Sequence, residues 1–503
     1  MIGVDRSLLW RLRIALALGV MVLRIPSLSE PAWYSDDGFF MSVAWLTSRG
    51  LRLYADVYDN SPPGIYWLYR LMLLLGARDH HVVVQAFASA AVVMATVLTF
   101  EVARRLTALW PALLSASVAG VVLSMPVLDG DLFNVEIAGL PFFVVALLLA
   151  FGRGWASAAA AGALLGIAIT FRPSFLVDGL AVLAVLLMSS RVTLRVASAA
   201  AGLGAVGFLV LIGMWAGGSL QAYFDTVAPA EHAYLVWANG GSLTPLLVRL
   251  ACLALVGAFF LYRSGTTSGR VLAVWIPAAL AGASLTPREL THYVHEAVPA
   301  IAVGISVLAA RISWKPVAAA ASLAAVVLAA EAVLILPAQE TARIQGYVPP
   351  PPFLHNYGYA GMVAYYGNWL DMVSGAKSVA TYDAWFPGQA PSDGAELARL
   401  RQMGTSSSTR IIVIGDRPWL YVKGDVLPAT PFLATNSSFW RVTWAPGLVS
   451  HALAAGCADF VVYVDAGNQD WSAALNASAY EEIGGTPWPT YRPLSPSSRC
   501  PAR

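Results

Sequence analysis

Charge is scarce in this chain: Asp, Glu, Lys and Arg together make up 12% of its 503 residues. A soluble fold of this length needs far more polar surface, because a single core stops growing well before it. A formal net charge of +2 gives no electrostatic footprint for a nucleic-acid partner. Cysteine is as sparse. Cys252, Cys457 and Cys500 stand at no metal-ligand spacing, although Cys457 and Cys500 could pair if their region faces an oxidising compartment. The Gly415–Asp416 turn carries neither GxGxxG nor GxxxxGK[ST], and resembles a nucleotide loop only faintly. No internal repeat is visible. The first apolar run, Leu8 to Pro26, is too long for a cleaved signal and lacks a small-residue cleavage site.

What remains is apolar. Hydrophobic residues reach 58% and the mean hydropathy is +0.64. Runs of roughly twenty apolar residues recur, the mark of a polytopic α-helical membrane protein. Spans are expected near 8–28, 82–103, 109–127, 137–151, 156–171, 174–189, 196–216, 244–262, 271–286, 295–310 and 316–336. Segment 62–76 is ambiguous, being short and carrying Arg70 in its middle. Arg6, Arg11 and Arg13 put the N-terminus in the cytoplasm. If 62–76 lies at the outer interface rather than crossing, Arg104–Arg105, Arg153, Arg191 with Arg195, Arg263 with Arg270, and Arg311 with Lys315 all face inward. That choice obeys the positive-inside rule at each loop and gives about eleven spans.

This topology sorts the unusual residues onto the outer face. The stretch WYSDDGFFMSVAWLTSRGLRLYADVYDNSPPG (33–64) holds Asp36, Asp37, Asp56 and Asp59, with Tyr34, Tyr54 and Tyr58 interleaved. Ionisable groups at a membrane boundary are functional candidates, and an Asp beside a cavity can act as general base on a hydroxyl. The plainer reading is that Ser35, Asp36 or Asp37 caps the following helix. Asp129, Asp131 and Glu136 lie in LDGDLFNVE (128–136), which could equally be a solvated loop. Arg172, Arg288, His292 and Tyr293 are suited to a departing phosphate, against a reading in which Arg288 pairs with Glu289 and the histidines bond backbone carbonyls. His292 and His295 also permit a metal, but no acidic ligand accompanies them. Asp225, Glu231 and His232, in the long outer loop 223–241, read better as interface loop than as catalysts.

Beyond about Thr341 the composition becomes that of a soluble domain, entered through Pro349–Pro352. RIIVIGD (410–416) and DFVVYVD (459–465) read as buried strands, with helices at 446–456 and 470–478. The expected division is a membrane module at 1–340, with outer loop 30–81, and an extracytoplasmic α/β domain with a partly parallel sheet at 341–503.

The order YSDDGFF (34–40), LYADVYDNSPPG (53–64), LDGDLFNVE (128–136) and RELTHYVHEAVP (288–299) resembles the GT-C superfamily of polyprenyl-phosphate-sugar-dependent glycosyltransferases. The likeness is to its protein O-mannosyltransferases and lipid A aminoarabinose transferases, and covers most of 1–336. It implies that the first Asp of the acidic pair, Asp36, is the base. The family's usual second residue is Glu, here Asp37, so the assignment between the two stays open. The resemblance also gives Asp129 or Asp131 a supporting role, with Glu136 and Tyr58 beside them. Aminoarabinose-transferase relatives carry a Lys before the PP element where this chain has Asn60–Ser61. Phosphate binding therefore shifts to Arg172, Arg288, His292 and Tyr293. A divalent metal (Mg or Mn) is found in some members; no ligand set for one is assigned here.

The implied reaction is an inverting transfer from a polyprenyl-phosphate sugar to a lipid, polysaccharide or protein hydroxyl, outside the plasma (inner) membrane of a bacterial cell envelope. Two other classes stay open: a transporter or flippase of lipid-linked sugars, and a non-catalytic envelope scaffold.

Overall fold

The computed structural model describes residues 5–494 apart from 288–290, most of 311–335, 345–358, 387–389, 436–444, most of 465–479, and 485–486. The chain begins with α1 (Arg6–Arg24), which ends earlier than the expected span because Pro26 opens a 3-10 turn, Pro26–Ser29. The outer loop then folds into α2 (Ser35–Ser48) and α3 (Pro63–Leu74). At 1.5 Å per residue, α3 is only about 18 Å long, short of the roughly 30 Å hydrocarbon core. It buries Tyr66, Tyr69 and Met72 and exposes Trp67, Leu71 and Leu74, the pattern of a helix lying along an apolar surface.

A helical bundle follows: α4 (Val82–Leu106), α5 (Leu109–Val122), α6 (Val135–Ala150), α7 (Trp155–Phe171), α8 (Phe175–Leu187) and α9 (Val192–Ala216). After the helix Ala228–Ala238 it continues with Thr244–Arg263, Thr267–Ala283 and Val298–Ala309. By length and composition α4, α9 and Thr244–Arg263 can each cross a bilayer; several shorter apolar helices accompany them. Most of the expected span 316–336 lies outside the described residues. The outer faces of α9 and Thr244–Arg263 carry exposed Phe208, Leu209, Trp215, Leu255 and Phe259, side chains that need an apolar solvent.

Helices α7 and α9 pack at small residues, as membrane helices do where backbones approach closely. A Cβ added to Gly162 would lie 1.8 Å from the Ala199 carbonyl oxygen, and one added to Gly202 would lie 2.0 Å from that of Ala159. Either Gly→Ala change therefore forces the helices apart. Gly162→Ala and Gly202→Ala are each expected to lower the Tm of the purified protein in detergent, on the scale of overpacking (about 1–3 kcal/mol). Gly204→Ala, with open space around its Cα, is the control that leaves Tm unchanged.

The C-terminal region carries a sheet in the order β2-β1-β3-β5-β4. Its strands are β1 (Arg410–Ile414), β2 (Leu427–Pro428), β3 (Phe460–Tyr463), β4 (Tyr480–Gly484) and β5 (Thr490–Pro493). β1 pairs parallel with both β2 and β3, while β5 pairs antiparallel with β3 and β4. The buried run Ile411–Ile414 is what a central strand covered on both faces requires. Helices Ala390–Gln402 and Ala445–Ala454 belong to this unit. Of the expected helix at 470–478 and the prolines 349–352, most or all lies outside the described residues. So does Cys500, and with it the expected pairing with Cys457; Cys252 is free and exposed.

This unit docks on α2. Ser42 Oγ donates to the Pro418 carbonyl at 2.8 Å, Trp419 Nε1 to the Tyr34 carbonyl at 2.9 Å, and Tyr58 N to the Pro431 carbonyl at 2.8 Å. Gly38 makes the approach possible, since a Cβ there would meet Trp419 Cδ1 at 2.8 Å.

Candidate active site

A cavity of about 780 Å³ opens between α2, the start of α6, the α7–α8 junction, the helix Ala228–Ala238, the turn Thr291–Ala297 and the C-terminal unit. Asp36 and Asp37 sit in the first turn of α2, where the helix dipole favours negative charge. The expected capping role falls to neither: Tyr34 is the N-cap residue, with no side-chain cap bond. Their adjacent positions send the two carboxylates to different environments.

Asp36 faces the cavity and accepts a hydrogen bond from Tyr34 OH at 2.8 Å. Burial pushes its pKa up to about 7, against the pull of His292 and the Tyr34 bond, with Asp416 and Asp59 adding to the rise. Asp37 is fully buried and turned away. It accepts from Tyr69 OH at 2.5 Å and lies 3.2 Å from His81 Nε2, while His81 Nδ1 is 3.1 Å from the Glu30 carbonyl oxygen. Asp37 thus ties α2 to α3 and to the start of α4. Asp36 is the carboxylate left free to meet a substrate.

Asp129 sits at a left-handed residue (φ 57°) and holds His292 twice through Oδ2, from its backbone N–H at 3.3 Å and its Nδ1 at 3.1 Å. Burial works against the imidazolium, but Glu136, Asp129 and Asp36 outweigh it, so the His292 pKa is raised. Glu136 and Arg172 both line the cavity and form a close ion pair. Arg172 Nε is also 3.8 Å from Glu296 Oε2, and its guanidinium stacks 4.4 Å over the Tyr293 ring. Ser174 Oγ completes the group by donating to Glu296 at 2.6 Å. Tyr58 lines the wall and packs on Phe432 with ring centres 5.2 Å apart.

Arg288 lies outside the described residues, as does its suggested pair with Glu289. Asp131 is not on the cavity wall but beside a buried arginine, Arg24, which bonds the Asp131 and Gly130 carbonyls, Ser89 and Gln85. Arg24 fixes the 128–131 loop from below.

The cavity also gathers residues that sequence reasoning did not assign to it: Asp59, Asn60, Glu231, His232 and Asp416. Tyr66 OH donates to Asp59 at 2.7 Å, and Asn60 Nδ2 to Glu231 at 2.8 Å. Burial raises Asp59 to about 6 and Glu231 to about 7. The available signal was the tyrosine-interleaved 53–64 segment for Asp59 and Asn60; nothing local marks Asp416. Among the described residues no group of three or more His, Cys, Asp or Glu side chains converges on a metal position.

Comparison with known proteins places this geometry. A family model described as dolichyl-phosphate-mannose-protein mannosyltransferase matches residues 60–215. The whole chain superposes on ArnT from Cupriavidus metallidurans bound to undecaprenyl phosphate, with a TM-score of 0.56 and 13% identity over 98% of this chain and 100% of that one. The fold is that of ArnT. The apo form of the same ArnT gives a TM-score of 0.56 at 14% identity, over 97% of this chain and 98% of that one. AglB from Archaeoglobus fulgidus is more distant, with a TM-score of 0.44 at 14% identity over 97% and 74%. No curated protein matches the sequence.

Proposed function

We propose that this chain is an inverting glycosyltransferase that moves a sugar from a polyprenyl-phosphate donor to an acceptor hydroxyl at the extracytoplasmic face of the membrane. The observation that carries the reading is Asp36: a cavity-facing carboxylate with its pKa near neutrality, set across from Arg172 and His292. The GT-C fold, and the undecaprenyl phosphate bound to an ArnT of that fold, support the class of donor.

The acceptor hydroxyl gives its proton to Asp36, and its oxygen forms a bond to the anomeric carbon. The bond from that carbon to the phosphate oxygen breaks, and its electron pair leaves with the lipid phosphate. Arg172, His292 and Arg288 take up the growing phosphate charge, with Tyr293 holding the Arg172 plane. Asp129 keeps His292 in orientation. Glu136 and Glu296 hold Arg172 in place rather than leave it to swing with the ligand. Asp131 acts only through the loop that carries Asp129. One carboxylate base and no covalent nucleophile mean a single displacement.

The topology that agrees with this chemistry has the N-terminus in the cytoplasm, about eleven spans, α2 and α3 at the outer interface, and residues 341–503 outside a bacterial inner membrane. The acceptor class is a lipid, a polysaccharide or a protein. Stereochemistry tests the displacement. NMR of the product formed from an anomerically pure short-chain polyprenyl-phosphate sugar is expected to show the opposite anomeric configuration. Retention would require a covalent intermediate and would overturn the single-base mechanism.

A further inference from the structure

The C-terminal unit is built to reach the reaction centre. Asp416 follows β1 at the carboxyl end of the parallel strands, the edge at which open α/β sheets bind ligands. Gly415 takes a positive φ of 125° there. The turn is cross-braced: Thr435 Oγ1 accepts from Gly415 N at 2.8 Å, and Thr435 N donates to the Gly415 carbonyl at 3.0 Å. This brace brings Phe432, Leu433 and Ala434 to the cavity wall beside Asp416. Arg417, the next residue, points away, with Nε 3.9 Å from Asp393 and its guanidinium over Trp488.

Burial raises the Asp416 pKa, against the pull of Ser35 in the turn that carries Asp36. The Asp416 Oδ1 is buried with no hydrogen-bond partner among the described residues. A cavity-lining carboxylate with one oxygen unmet by the protein calls for a donor from the ligand. The rest of this wall narrows the kind of ligand. Asp36, Asp59 and Glu231 face the same space, whereas the cations Arg172 and His292 are already engaged by Glu136, Glu296 and Asp129. An anionic acceptor group would enter against this field. Tyr58 and Phe432, one from each unit, add an aromatic surface. Acceptor-only carboxylates beside aromatic faces suit a ring bearing several hydroxyls.

We infer that Asp416 is a specificity residue for the acceptor, and that the acceptor group seated against it is an uncharged, hydroxyl-rich saccharide unit. This rests on the glycosyltransferase reading above. Asp416 receives a hydroxyl of the acceptor ring and so aims another hydroxyl at Asp36. The donor's phosphate is taken by Arg172 and His292 rather than by Asp416, which carries the wrong charge for it.

The test measures lipid-phosphate release from a short-chain polyprenyl-phosphate sugar by the full chain in detergent. Release is followed with water alone, with a neutral alkyl glycoside panel, and with the 6-phosphorylated counterparts. In wild type the neutral glycosides are expected to raise release saturably, and the phosphorylated ones to be poorer acceptors. Asp416→Ala is expected to raise the glycoside KM about tenfold or more, the loss of a hydrogen bond to a charged group, while the KM for the donor stays near wild type. Asp416→Glu should recover part of the affinity. An unchanged glycoside KM, a donor KM that rises as far as the glycoside KM, phosphorylated glycosides as the better acceptors, or release that no glycoside stimulates would each overturn the inference. A wild-type protein that releases no lipid phosphate even to water would instead overturn the glycosyltransferase reading.

Discussion

Asp36→Asn is expected to lower kcat by about 10²–10⁴-fold, the range over which a positioned general base acts, while donor affinity and Tm stay near wild type. The side chain keeps its shape and can still accept from Tyr34 OH, so the turn has no reason to move. Only the proton acceptor is lost. The pH profile adds a sign. Asp36 works as a base only when ionised, and burial holds its pKa at about 7. Wild-type kcat should therefore climb with rising pH through about 7 and then level off, and the residual rate of Asp36→Asn should lack that limb. Asp37→Ala is the contrasting variant. It strips a fully buried carboxylate from Tyr69 OH and His81, leaving buried donors unmet at about 1–3 kcal/mol. Its signature is a fall in Tm, seen in thermal unfolding before any assay is run. If Asp37→Ala keeps its Tm while losing turnover, and Asp36→Asn does the reverse, the two roles are exchanged.

Arg172→Ala is expected to be the most damaging single change to the fold. The guanidinium stands between Glu136 and Glu296, both buried, with Asp178 also buried on the adjoining α8. Taking away one partner of a buried charge pair costs about 3–5 kcal/mol, because the other charge is left uncompensated. Arg172→Lys should not restore wild-type behaviour. A point charge cannot reach two carboxylates and lie flat on Tyr293 at once. Structure and chemistry can be separated by removing all the charges together: Arg172→Met with Glu136→Met and Glu296→Leu should recover much of the Tm lost in Arg172→Ala, yet release no lipid phosphate. A wild-type Tm for Arg172→Ala would show that the carboxylates are not held by this arginine.

The parts of this site legible in the sequence are those whose chemistry contradicts their surroundings. Asp36, Asp37, Glu136, Arg172 and His292 stand out because charge in a chain this apolar is costly, and the order of the segments that hold Asp36, Glu136 and His292 resembles the GT-C pattern. The helical segments were legible for the same reason, although their ends were not: Pro26 and the turn Thr291–Ala297 stop helices that hydropathy alone would extend. The division of labour between Asp36 and Asp37 was hidden, since it depends on Tyr69 and His81 arriving from α3 and the start of α4. Asp416 was hidden more deeply. It belongs to an ordinary-looking strand-end turn, and the docking of Trp419 over Gly38 brings it to Asp36, some 380 residues earlier. Glu231 read as interface loop because nothing in its own segment shows that Asn60 will meet it. Asp131 looked as good as Asp129; the buried Arg24 beneath the loop decides which of them reaches His292.

The most direct measurement of the central claim uses proteoliposomes containing the purified full chain and a fluorescent short-chain polyprenyl-phosphate sugar. It follows lipid phosphate, transferred sugar and transbilayer movement of the intact donor together. Wild type is expected to release lipid phosphate in an amount equal to the sum of glycosylated product and free sugar, and Asp36→Asn to release it about 10²-fold or more slowly. Intact donor that crosses the bilayer at a rate dependent on the protein, with no lipid phosphate released to any acceptor, would contradict the glycosyltransferase reading and identify a flippase.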